Sequence, residues 1–323
     1  MPNKILSFGS LNIDFVYSVD HFVQKGETLA SDGLEIFSGG KGLNQSIALG
    51  RAGAEVFHAG AVGPDGQFLL ELLEGAGVDT HLVRRLEAVR TGNAVIQRNP
   101  QGDNCILLYG GANQAISREQ AEESLADFGE GDFIVLQNEI SQMPAIMECA
   151  HARGMRIVLN PSPMNEKVFQ MPLAFADYLI LNEVEASQLL RISQFPGKEA
   201  AKLLKEKFPQ SQIILTLGEA GSVYCDENTL IFQPAYSVRA VDTTAAGDTF
   251  TGYFIAGISR GMGAEDALEL ASRAAAAAVT RPGAAPSIPS IEEVEGMADM
   301  VRASIAWIDE ERKEPGGREK TLS

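Results

Sequence analysis

Residues 241–252 read Val-Asp-Thr-Thr-Ala-Ala-Gly-Asp-Thr-Phe-Thr-Gly, a run of small side chains and two carboxylates that leads into an amphipathic stretch. Successive backbone N–H groups at the start of a helix can point into one concavity and bind an anion. Asp248 could accept a proton from a hydroxyl there while the N–H groups stabilise a phosphoryl group in transfer. Alternatively, Asp248 is an ordinary acid at a helix N-terminus and Asp242 is a cap, and Asp248 alone favours this simpler interpretation.

A second segment, residues 38–49, places three closely spaced glycines, Lys41 and Asn44 ahead of a predicted helix. Glycine lets the backbone approach a ligand closely, and the Lys and Asn side chains offer hydrogen-bond donors in the same volume. Such a loop suits a polyhydroxylated or anionic ligand. A tight strand-to-helix turn would explain the glycines but is a weaker account of Lys41 and Asn44. The usual phosphate and dinucleotide motifs, GxxxxGK[ST] and a GxGxxG after a strand, are absent.

Three further polar residues follow predicted strands. Asn12 and Asp14 alternate with apolar residues, so an amide and a carboxylate could share one face and contact the hydroxyls of a sugar. Glu139 follows the apolar run 133–137, at the carboxyl edge where parallel sheets bind ligands. Each has a simpler alternative, because Asn12 or Asp14 could organise a turn and Glu139 could be a solvated strand end.

The elements that would position these residues are short apolar runs that alternate with helical patterns, which predicts a parallel sheet with helices on its faces. The strand-like runs are 5–8, 56–62, 133–137, 156–159, 178–181 and 213–217. The helical patterns are 44–52, 67–74, 118–127, 143–152 and 198–207, followed by two helices between 249 and 280 that separate at 261–263.

Two segments, about 14–37 and 93–109, interrupt this alternation. They combine alternating apolar residues with turn residues and have no crossover helix, so they predict a small sheet that projects from the main layer. Residues 311–323 are polar and contain Pro and Gly, and we expect them to form a mobile C-terminal tail.

The chain has 323 residues with 26 Lys and Arg against 43 Asp and Glu, a formal net charge of −17. Such an acidic surface repels nucleic-acid backbones and anionic membranes, so neither is an expected partner. No apolar run approaches the roughly 18 residues of a membrane span. The N-terminus lacks a secretory signal pattern, so we expect a cytoplasmic protein. The cysteines and histidines show no disulfide or zinc spacing.

Seven short motifs occur in a fixed order within residues 4–295. They are Asn-Ile-Asp at 12–14, Gly-Gly-Lys-Gly-Leu-Asn-Gln at 39–45, Gly-Val-Asp-Thr at 77–80, Asn-Pro-Ser-Pro at 160–163, Asn-Glu-Val-Glu at 182–185, Thr-Leu-Gly-Glu-Ala-Gly at 216–221 and Asp-Thr-Thr-Ala-Ala-Gly-Asp at 242–248. With this ordered set the chain resembles the ribokinase-like carbohydrate kinases, also called the PfkB family. The loop at 39–45 is typical of the ribokinase branch of that family.

The resemblance implies a ribokinase-like three-layer α/β/α fold with a central, mostly parallel sheet. Residues 1–310 would form one kinase domain, and the projecting sheet would be a lid. Asp248 would be the base that activates the primary hydroxyl of the sugar, and the backbone at Ala245, Ala246 and Gly247 would form an anion hole. The residues implied to hold the sugar are Asn12, Asp14, Gly40, Lys41, Gly42, Asn44, Glu139 and Asp248.

The resemblance also implies that ATP, Mg²⁺ and K⁺ bind. The nucleotide site would comprise Asn182, Glu185, Thr216, Gly218, Gly221 and Gly247, with Glu185 organising Mg²⁺ through water. The monovalent cation would order the anion hole and would be bound by the Asp242 and Ser287 side chains with carbonyl groups near Thr244, Ala278, Arg281 and Gly283.

The function implied is that of an ATP-dependent sugar kinase, with D-ribose as the leading substrate, D-ribose 5-phosphate as its product and a homodimer formed through the lid. Two alternatives stay open. One is a related kinase that acts on deoxyribose, another sugar or a nucleoside, because a single hydroxyl contact decides such specificity. The other is a non-catalytic sugar-binding or regulatory protein that keeps the fold.

Overall fold

The computed structural model describes residues 3–297 and 301–302. The strands of this part are β1 Ile5–Phe8, β2 Asn12–Ser18, β3 Gly33–Gly39, β4 Val56–Val62, β5 Val78–Arg85, β6 Gly92–Arg98, β7 Asn104–Tyr109, β8 Phe133–Gln137, β9 Arg156–Asn160, β10 Tyr178–Asn182, β11 Gln212–Thr216, β12 Gly221–Cys225 and β13 Leu230–Pro234. The α-helices are α1 Lys41–Arg51, α2 Gln67–Gly75, α3 Arg118–Ser124, α4 Met143–Ala152, α5 Glu183–Leu190, α6 Glu199–Lys207, α7 Ala246–Ser259, α8 Ala264–Ala278 and α9 Ile291–Glu295.

A nine-stranded sheet forms the middle of the molecule, in the order β13-β12-β11-β10-β9-β8-β1-β4-β5. Its strands pair in parallel except for β12 and β13, which join antiparallel at one edge. The central strands β1 and β8 are buried along their whole length. Strands that are covered on both faces read as continuous apolar runs, which is why the sequence pattern marked them correctly.

Helices cover both faces of this sheet. On one face α1, α2, α7 and α8 pack around a core that includes Leu43, Leu69 and Phe254. On the other face α3, α4, α5 and α6 pack around residues such as Ile146 and Leu204. The predicted three-layer α/β/α arrangement is confirmed. Because β1, β8, β9, β10 and β11 run parallel, the residues that follow them gather at one edge of the sheet, where such folds bind ligands.

A separate four-stranded sheet has the order β3-β2-β6-β7, which confirms the predicted projecting sheet. Its outer strands pair antiparallel with the inner ones, while β2 and β6 in the middle are parallel. The inner strands β2 and β6 begin side by side, at a point where neighbouring residues contact each other closely. A Cβ on Gly92 would lie 2.2 Å from Asn113 Nδ2 and 2.4 Å from Asn12 Oδ1, so only glycine fits where β6 begins.

Several elements differ from the sequence prediction. α1 begins at Lys41 rather than at residue 44, so the Gly-rich loop ends earlier and its Lys and Asn lie on the helix. The apolar pattern predicts no helix at 183–190, yet the structure has α5 there because Asn182 and Glu185 form a capping box. The antiparallel pair of β12 and β13 is also additional. The predicted tail at 311–323 lies outside the described residues, and the limits of the 1–310 domain stay a prediction.

No helix within residues 3–297 and 301–302 is long and apolar enough to cross a lipid bilayer. In the same part of the chain, no three His, Cys, Asp or Glu side chains lie close enough together to hold a metal ion. Any cation site built from these residues would therefore depend on backbone carbonyl groups, hydroxyls and water as well as single carboxylates.

Candidate active site

Asp248 lies in the first turn of α7 and is buried, with 7 % of its surface exposed. Asn44 Nδ2 donates to its Oδ2 at 3.1 Å, and Gln45 Nε2 donates to its Oδ1 at 2.9 Å. Both amides belong to α1, so the two most informative segments of the sequence meet at this carboxylate. An ordinary acid at a helix N-terminus would face solvent, because burying a carboxylate is costly. The geometry therefore disfavours the simpler interpretation.

The start of α7 presents backbone N–H groups beside this carboxylate. The chain enters the helix through Ala245, whose backbone is left-handed with φ 60°. Ala246 N–H donates to Thr243 O at 3.2 Å, whereas no described residue accepts a hydrogen bond from Gly247 N–H. An unpaired N–H at a helix N-terminus carries partial positive charge and binds anions. Of the three positions predicted for the anion hole, Gly247 thus offers a free donor.

Glu139 connects the end of β8 to the start of α1. Its Oε2 accepts hydrogen bonds from Lys41 N–H at 2.9 Å and from Ser10 Oγ. Burial raises the pKa of Glu139, although these hydrogen bonds and the Lys41 charge oppose the change. The negative charge of Asp248 raises the pKa of Lys41 by more than burial lowers it. Lys41 therefore stays protonated and balances two neighbouring carboxylates.

The glycines of the loop are required by close approach to the turn after β1. A Cβ on Gly39 would lie 2.2–2.4 Å from the carboxylate atoms of Asp14. Gly40 has φ 96°, and a Cβ there would lie 2.9 Å from Ser10 O. Burial, reinforced by the nearby Glu139, raises the pKa of Asp14 to about 6. The loop thus covers a desolvated carboxylate that can accept hydrogen bonds from a ligand.

Gly42 lies beneath this loop and is buried. Its N–H donates to Ser10 Oγ at 3.2 Å, and a Cβ on it would lie 2.3 Å from Ser10 N. A side chain at this position would push α1 away from the turn that follows β1. The structure therefore gives Gly42 a packing role under the predicted sugar site.

Asn12 is positioned by a residue that the sequence patterns do not mark. Asn113, buried in the 3-10 turn Gly111–Gln114, donates from Nδ2 to Asn12 Oδ1 at 2.7 Å. The same amide contacts the backbone of Leu11 through Leu11 N–H to Oδ1 at 3.0 Å and Nδ2 to Leu11 O at 3.2 Å. Asn113 therefore fixes which side of the Asn12 amide faces the site. Asn113 follows the lid strand β7 in an irregular turn, so no periodic pattern of apolar residues marks it.

Asn44 has one hydrogen-bonding atom left over. Its Nδ2 is used on Asp248, but its Oδ1 is buried and has no partner in the described part of the chain. Buried polar atoms are rarely left unpaired. A hydroxyl group of a ligand could satisfy this acceptor, so the site fits a polyol at the position where the sugar is predicted.

The predicted nucleotide residues follow β10 and β11, farther along the same edge of the sheet. Asn182 Oδ1 accepts from Glu185 N–H at 2.9 Å, and Glu185 Oε2 accepts from Asn182 N–H at 3.0 Å, so this pair caps α5. Thr216 Oγ1 donates to Leu181 O at 3.3 Å. Gly218 and Gly221, with φ 53° and 121°, turn the chain from β11 into β12. These residues share one edge, but their side chains are engaged in caps and turns.

The predicted cation residues form a second junction. Asp242 Oδ1 accepts from Thr244 N–H at 2.9 Å and from its Oγ1 at 2.6 Å, while Oδ2 accepts from Gly283 N–H at 2.9 Å. Burial pushes the pKa of Asp242 up, but the hydrogen bonds from Thr244 and Gly283 outweigh it and lower the pKa. Asp242 is therefore a firm anion between two loops, held by two backbone N–H groups and one hydroxyl, and its carboxylate oxygens are of the ligand type that hard cations prefer.

The other predicted cation residues lie around this junction. Ala278 O accepts from Arg281 N–H at 3.1 Å, and Ser287 Oγ donates to Ala284 O at 2.8 Å. The Arg281 side chain contacts Glu293, with Nη2 2.8 Å from Oε1. The guanidinium thus points to a carboxylate on α9, so Arg281 would contribute to a cation site only through its carbonyl group.

The chain is similar to known sugar kinases over almost its whole length. It is 35 % identical over 304 residues to the ribokinase of Staphylococcus aureus, covering 91 % of this chain and 99 % of that protein. It is 31 % identical over 297 residues to a deoxyribokinase of Salmonella typhimurium, covering 90 % and 96 %.

Solved structures give the same result. The ribokinase from Cryptococcus neoformans in complex with ADP has a TM-score of 0.81 and 34 % identity to this chain, covering 91 % of it and 99 % of that structure. The family model described as "pfkB family carbohydrate kinase" matches residues 2–291. This chain therefore belongs to the pfkB family of carbohydrate kinases.

Proposed function

We propose that this chain transfers the γ-phosphoryl group of ATP to the primary hydroxyl of D-ribose and produces D-ribose 5-phosphate. The observation that carries the proposal is the buried Asp248 carboxylate, which Asn44 and Gln45 hold beside the free N–H of Gly247. Phosphoryl transfer depends mainly on positioning and charge stabilisation, and this arrangement supplies both. The relatives named ribokinase support ribose as the acceptor.

In the proposed mechanism, Asp248 accepts the proton of the sugar hydroxyl while the hydroxyl oxygen attacks the γ-phosphorus of ATP. The bond between this phosphorus and the bridging oxygen of the β-phosphate breaks, and ADP leaves. The Gly247 N–H stabilises the charge on the phosphoryl group in transfer, and the Lys41 ammonium balances the carboxylates around it. When bound, Mg²⁺ neutralises charge on the ATP phosphates. The lid covers the sugar side of the site and limits access of water, whose attack would waste ATP.

The polar groups at the sugar side favour a free sugar over a sugar phosphate. Asp14 and Glu139 are carboxylates that accept hydrogen bonds from hydroxyls and repel a phosphate. Asn44 Oδ1 needs a donor, and a hydroxyl group provides one. Lys41 is a cation of this region, and its charge already interacts with those of Asp248, Glu139 and Glu185.

Two metal sites belong to the proposal. Glu185 would hold Mg²⁺ through water, since its Oε2 is committed to the α5 cap and the carboxylate lies at the same edge as Asp248. Asp242, Ser287 and carbonyl groups of the loops around Gly283 would hold K⁺. Asp242 connects the loop at 241–244 to the loop around Gly283, and the first of these loops leads directly into α7. An ion bound at Asp242 would therefore stiffen the entry to the anion hole.

We also propose that two copies of the chain pair through the lid and act in the cytoplasm. Leu34, Ile36 and Leu107 on the outer strands are 49 %, 56 % and 72 % exposed, and exposed apolar edge strands favour pairing. Analytical ultracentrifugation should show a dimer that Leu107→Glu shifts toward the monomer. A monomeric wild-type protein would contradict this part of the proposal.

A second candidate substrate is 2-deoxy-D-ribose, because a deoxyribokinase is among the relatives of similar identity. The two sugars differ by one hydroxyl, and a site that hydrogen-bonds that hydroxyl rejects the analogue that lacks it. A non-catalytic sugar-binding protein would not need the buried base beside an unpaired N–H, so the geometry favours an enzyme.

The test is a coupled assay of ADP release with Mg²⁺ and ATP, run on D-ribose, 2-deoxy-D-ribose, D-fructose and adenosine, with and without K⁺. We expect D-ribose to give the highest kcat/KM and K⁺ to increase it. Absence of sugar-dependent ADP release would sink the proposal. A higher kcat/KM for another acceptor would replace the substrate, and a rate independent of K⁺ would remove the cation site.

A further inference from the structure

Buried side-chain amides form a continuous hydrogen-bonded chain behind the site. Gln137 Nε2 donates to Gln45 Oε1 at 2.7 Å, and Gln45 Nε2 donates to Asp248 Oδ1 at 2.9 Å and to Asn160 Oδ1 at 3.3 Å. Asn160 Nδ2 in turn donates to Ile180 O at 2.9 Å and contacts Glu185 Oε2 at 3.5 Å. This series of hydrogen bonds thus runs from the end of β8 through α1 to the starts of α7 and α5.

The direction of these hydrogen bonds fixes the orientation of Gln45. A carboxylate only accepts, so the Gln45 amide must turn its nitrogen toward Asp248. Its second N–H is used by Asn160 and its oxygen by Gln137. A flipped amide would place its oxygen against Asp248 Oδ1 and Asn160 Oδ1, where neither atom can donate. One orientation is therefore strongly preferred.

Gln45 differs from its neighbour Asn44 in what it can reach. Asn44 keeps an unpaired Oδ1 for a ligand, whereas Gln45 is fully buried and all of its polar groups are used. Gln45 therefore contacts Asp248 from behind rather than from the substrate side. Its effect on the reaction can pass only through the carboxylate and through Asn160.

We propose that Gln45 is a positioning residue that holds Asp248 in its reactive orientation and, through Asn160, couples this carboxylate to Glu185 at the start of α5. The inference rests on the proposed role of Asp248 as the base. It means that the proton-accepting end and the phosphate end of the site share one rigid support instead of being placed independently by two loops.

The coupling has a measurable consequence for protonation. Gln45 donates to the ionised form of Asp248, so its loss removes a hydrogen bond that favours this form over the protonated one. The charge of Asp248 interacts with those of Lys41 on α1 and Glu139 after β8, Glu185 on α5 interacts with the same Lys41, and all three groups remain when Gln45 is changed. A shift in the pH profile can therefore be assigned to the lost hydrogen bond.

The first experiment compares Gln45→Met with Gln120→Met in the full chain. Gln120 is also a buried amide, and it donates to Gly60 O at 2.8 Å without contacting Asp248, so it controls for the loss of a buried amide away from the site, although Gln45→Met removes three hydrogen bonds and Gln120→Met one. We expect Gln45→Met to lower kcat on the order of 10- to 100-fold, since a small misplacement of a reacting group has effects of this size. Its KM for the sugar should change less than about 3-fold, with the acidic limb of the kcat profile moved to higher pH. Gln120→Met should lose stability only.

A second measurement keeps the inference testable if Gln45→Met does not fold. Asn160→Ala removes the acceptor that holds the second Gln45 N–H, together with the Nδ2 donor to Ile180 O and Glu185 Oε2. It leaves the hydrogen bond from Gln45 to Asp248 in place, so it should lower kcat and shift the acidic limb in the same direction by less. In a double-mutant cycle, Asn160→Ala and Glu185→Gln should be non-additive in kcat.

Unchanged kcat and pH profile in both Gln45→Met and Asn160→Ala, or additive effects in the cycle, would overturn the inference. Near-normal turnover in Asp248→Asn would instead overturn the proposed base. The two failures are therefore distinguishable.

Discussion

The two junctions that frame the entry to α7 are held in opposite ways. At the first, Asp248 is buried and receives two side-chain amides from α1, of which Gln45 is fully buried. At the second, Asp242 is only partly buried and receives hydrogen bonds from the exposed Thr244 and from Gly283. The first junction is held by buried side-chain amides, whereas the second is held by backbone N–H groups and one hydroxyl around a partly exposed carboxylate. The packed junction therefore holds the proposed base, Asp248, in one position, whereas the exposed junction around Asp242 can adjust.

The largest effect should come from breaking the first junction chemically. Asp248→Asn keeps the shape of the side chain but removes the base, so kcat should fall by about 10²- to 10⁴-fold. Sugar affinity, measured by calorimetry without ATP, should change by only a few fold. Asp127→Asn, at an exposed acid after α3, serves as the control and should leave the rate unchanged. A near-normal rate in Asp248→Asn would show that the carboxylate is not the base.

A smaller effect is expected at the second junction. Asp242→Asn weakens charge-assisted hydrogen bonds to two loops, so activity should fall on the order of 10-fold and the response to K⁺ should be lost. The measurement is the initial rate across a K⁺ titration at constant ionic strength. Asp226→Asn is the matched control, because Asp226 also accepts from two backbone N–H groups, at 2.8 Å each, in the turn between β12 and β13. An unchanged K⁺ response in Asp242→Asn would contradict the cation site.

The smallest effect concerns stability at the sugar side. The pKa of Asp14 is raised to about 6 in the folded chain, above its ordinary value of 3.8. Ionised Asp14 therefore lowers the free energy of unfolding by its full amount above pH 6. This loss disappears as the pH falls from 6 to 4, because the folded state binds the proton first.

Asp14→Asn should accordingly raise the free energy of unfolding at pH 7.5 by about 1–2 kcal/mol, a figure reduced for the partial exposure of the side chain. The gain should vanish near pH 4, and sugar binding should weaken at every pH. Urea denaturation at both pH values measures the effect, with Asp32→Asn at an exposed lid position as the control. Equal gains at both pH values would show that burial of the charge is not the cause.

Most of the fold could be predicted because buried parallel strands leave a strong signal. Runs such as 5–8 and 133–137 are apolar except for Ser7 and Gln137, and their bounds agree with β1 and β8. α5 left a weak signal, since its start at Asn182 is fixed by a capping box rather than by apolar periodicity. Asp248 and Asn44 could be marked as candidates because they adjoin runs of small residues that lead into helices, and Glu139 because it follows a buried strand.

What sequence could not supply is which polar groups touch. Asn113 and Gln137 lie in a turn and in a strand without any feature that marks them, yet each orients a residue of the site from about 90 to 100 positions away. Contacts between distant side chains are set by packing, which local spacing does not encode.

The parallel pairing of β2 with β6 in the lid has a consequence for how the chain folds. Each of these strands forms a hairpin with a neighbour in sequence, but Asn12 pairs with Gly92, roughly 80 residues later. The two hairpins can form early and locally, while the seam between them must wait until β4, α2 and β5 have brought its two sides together. The lid should therefore be completed late in folding, and hydrogen exchange should report its central seam as the first place where the sheet opens.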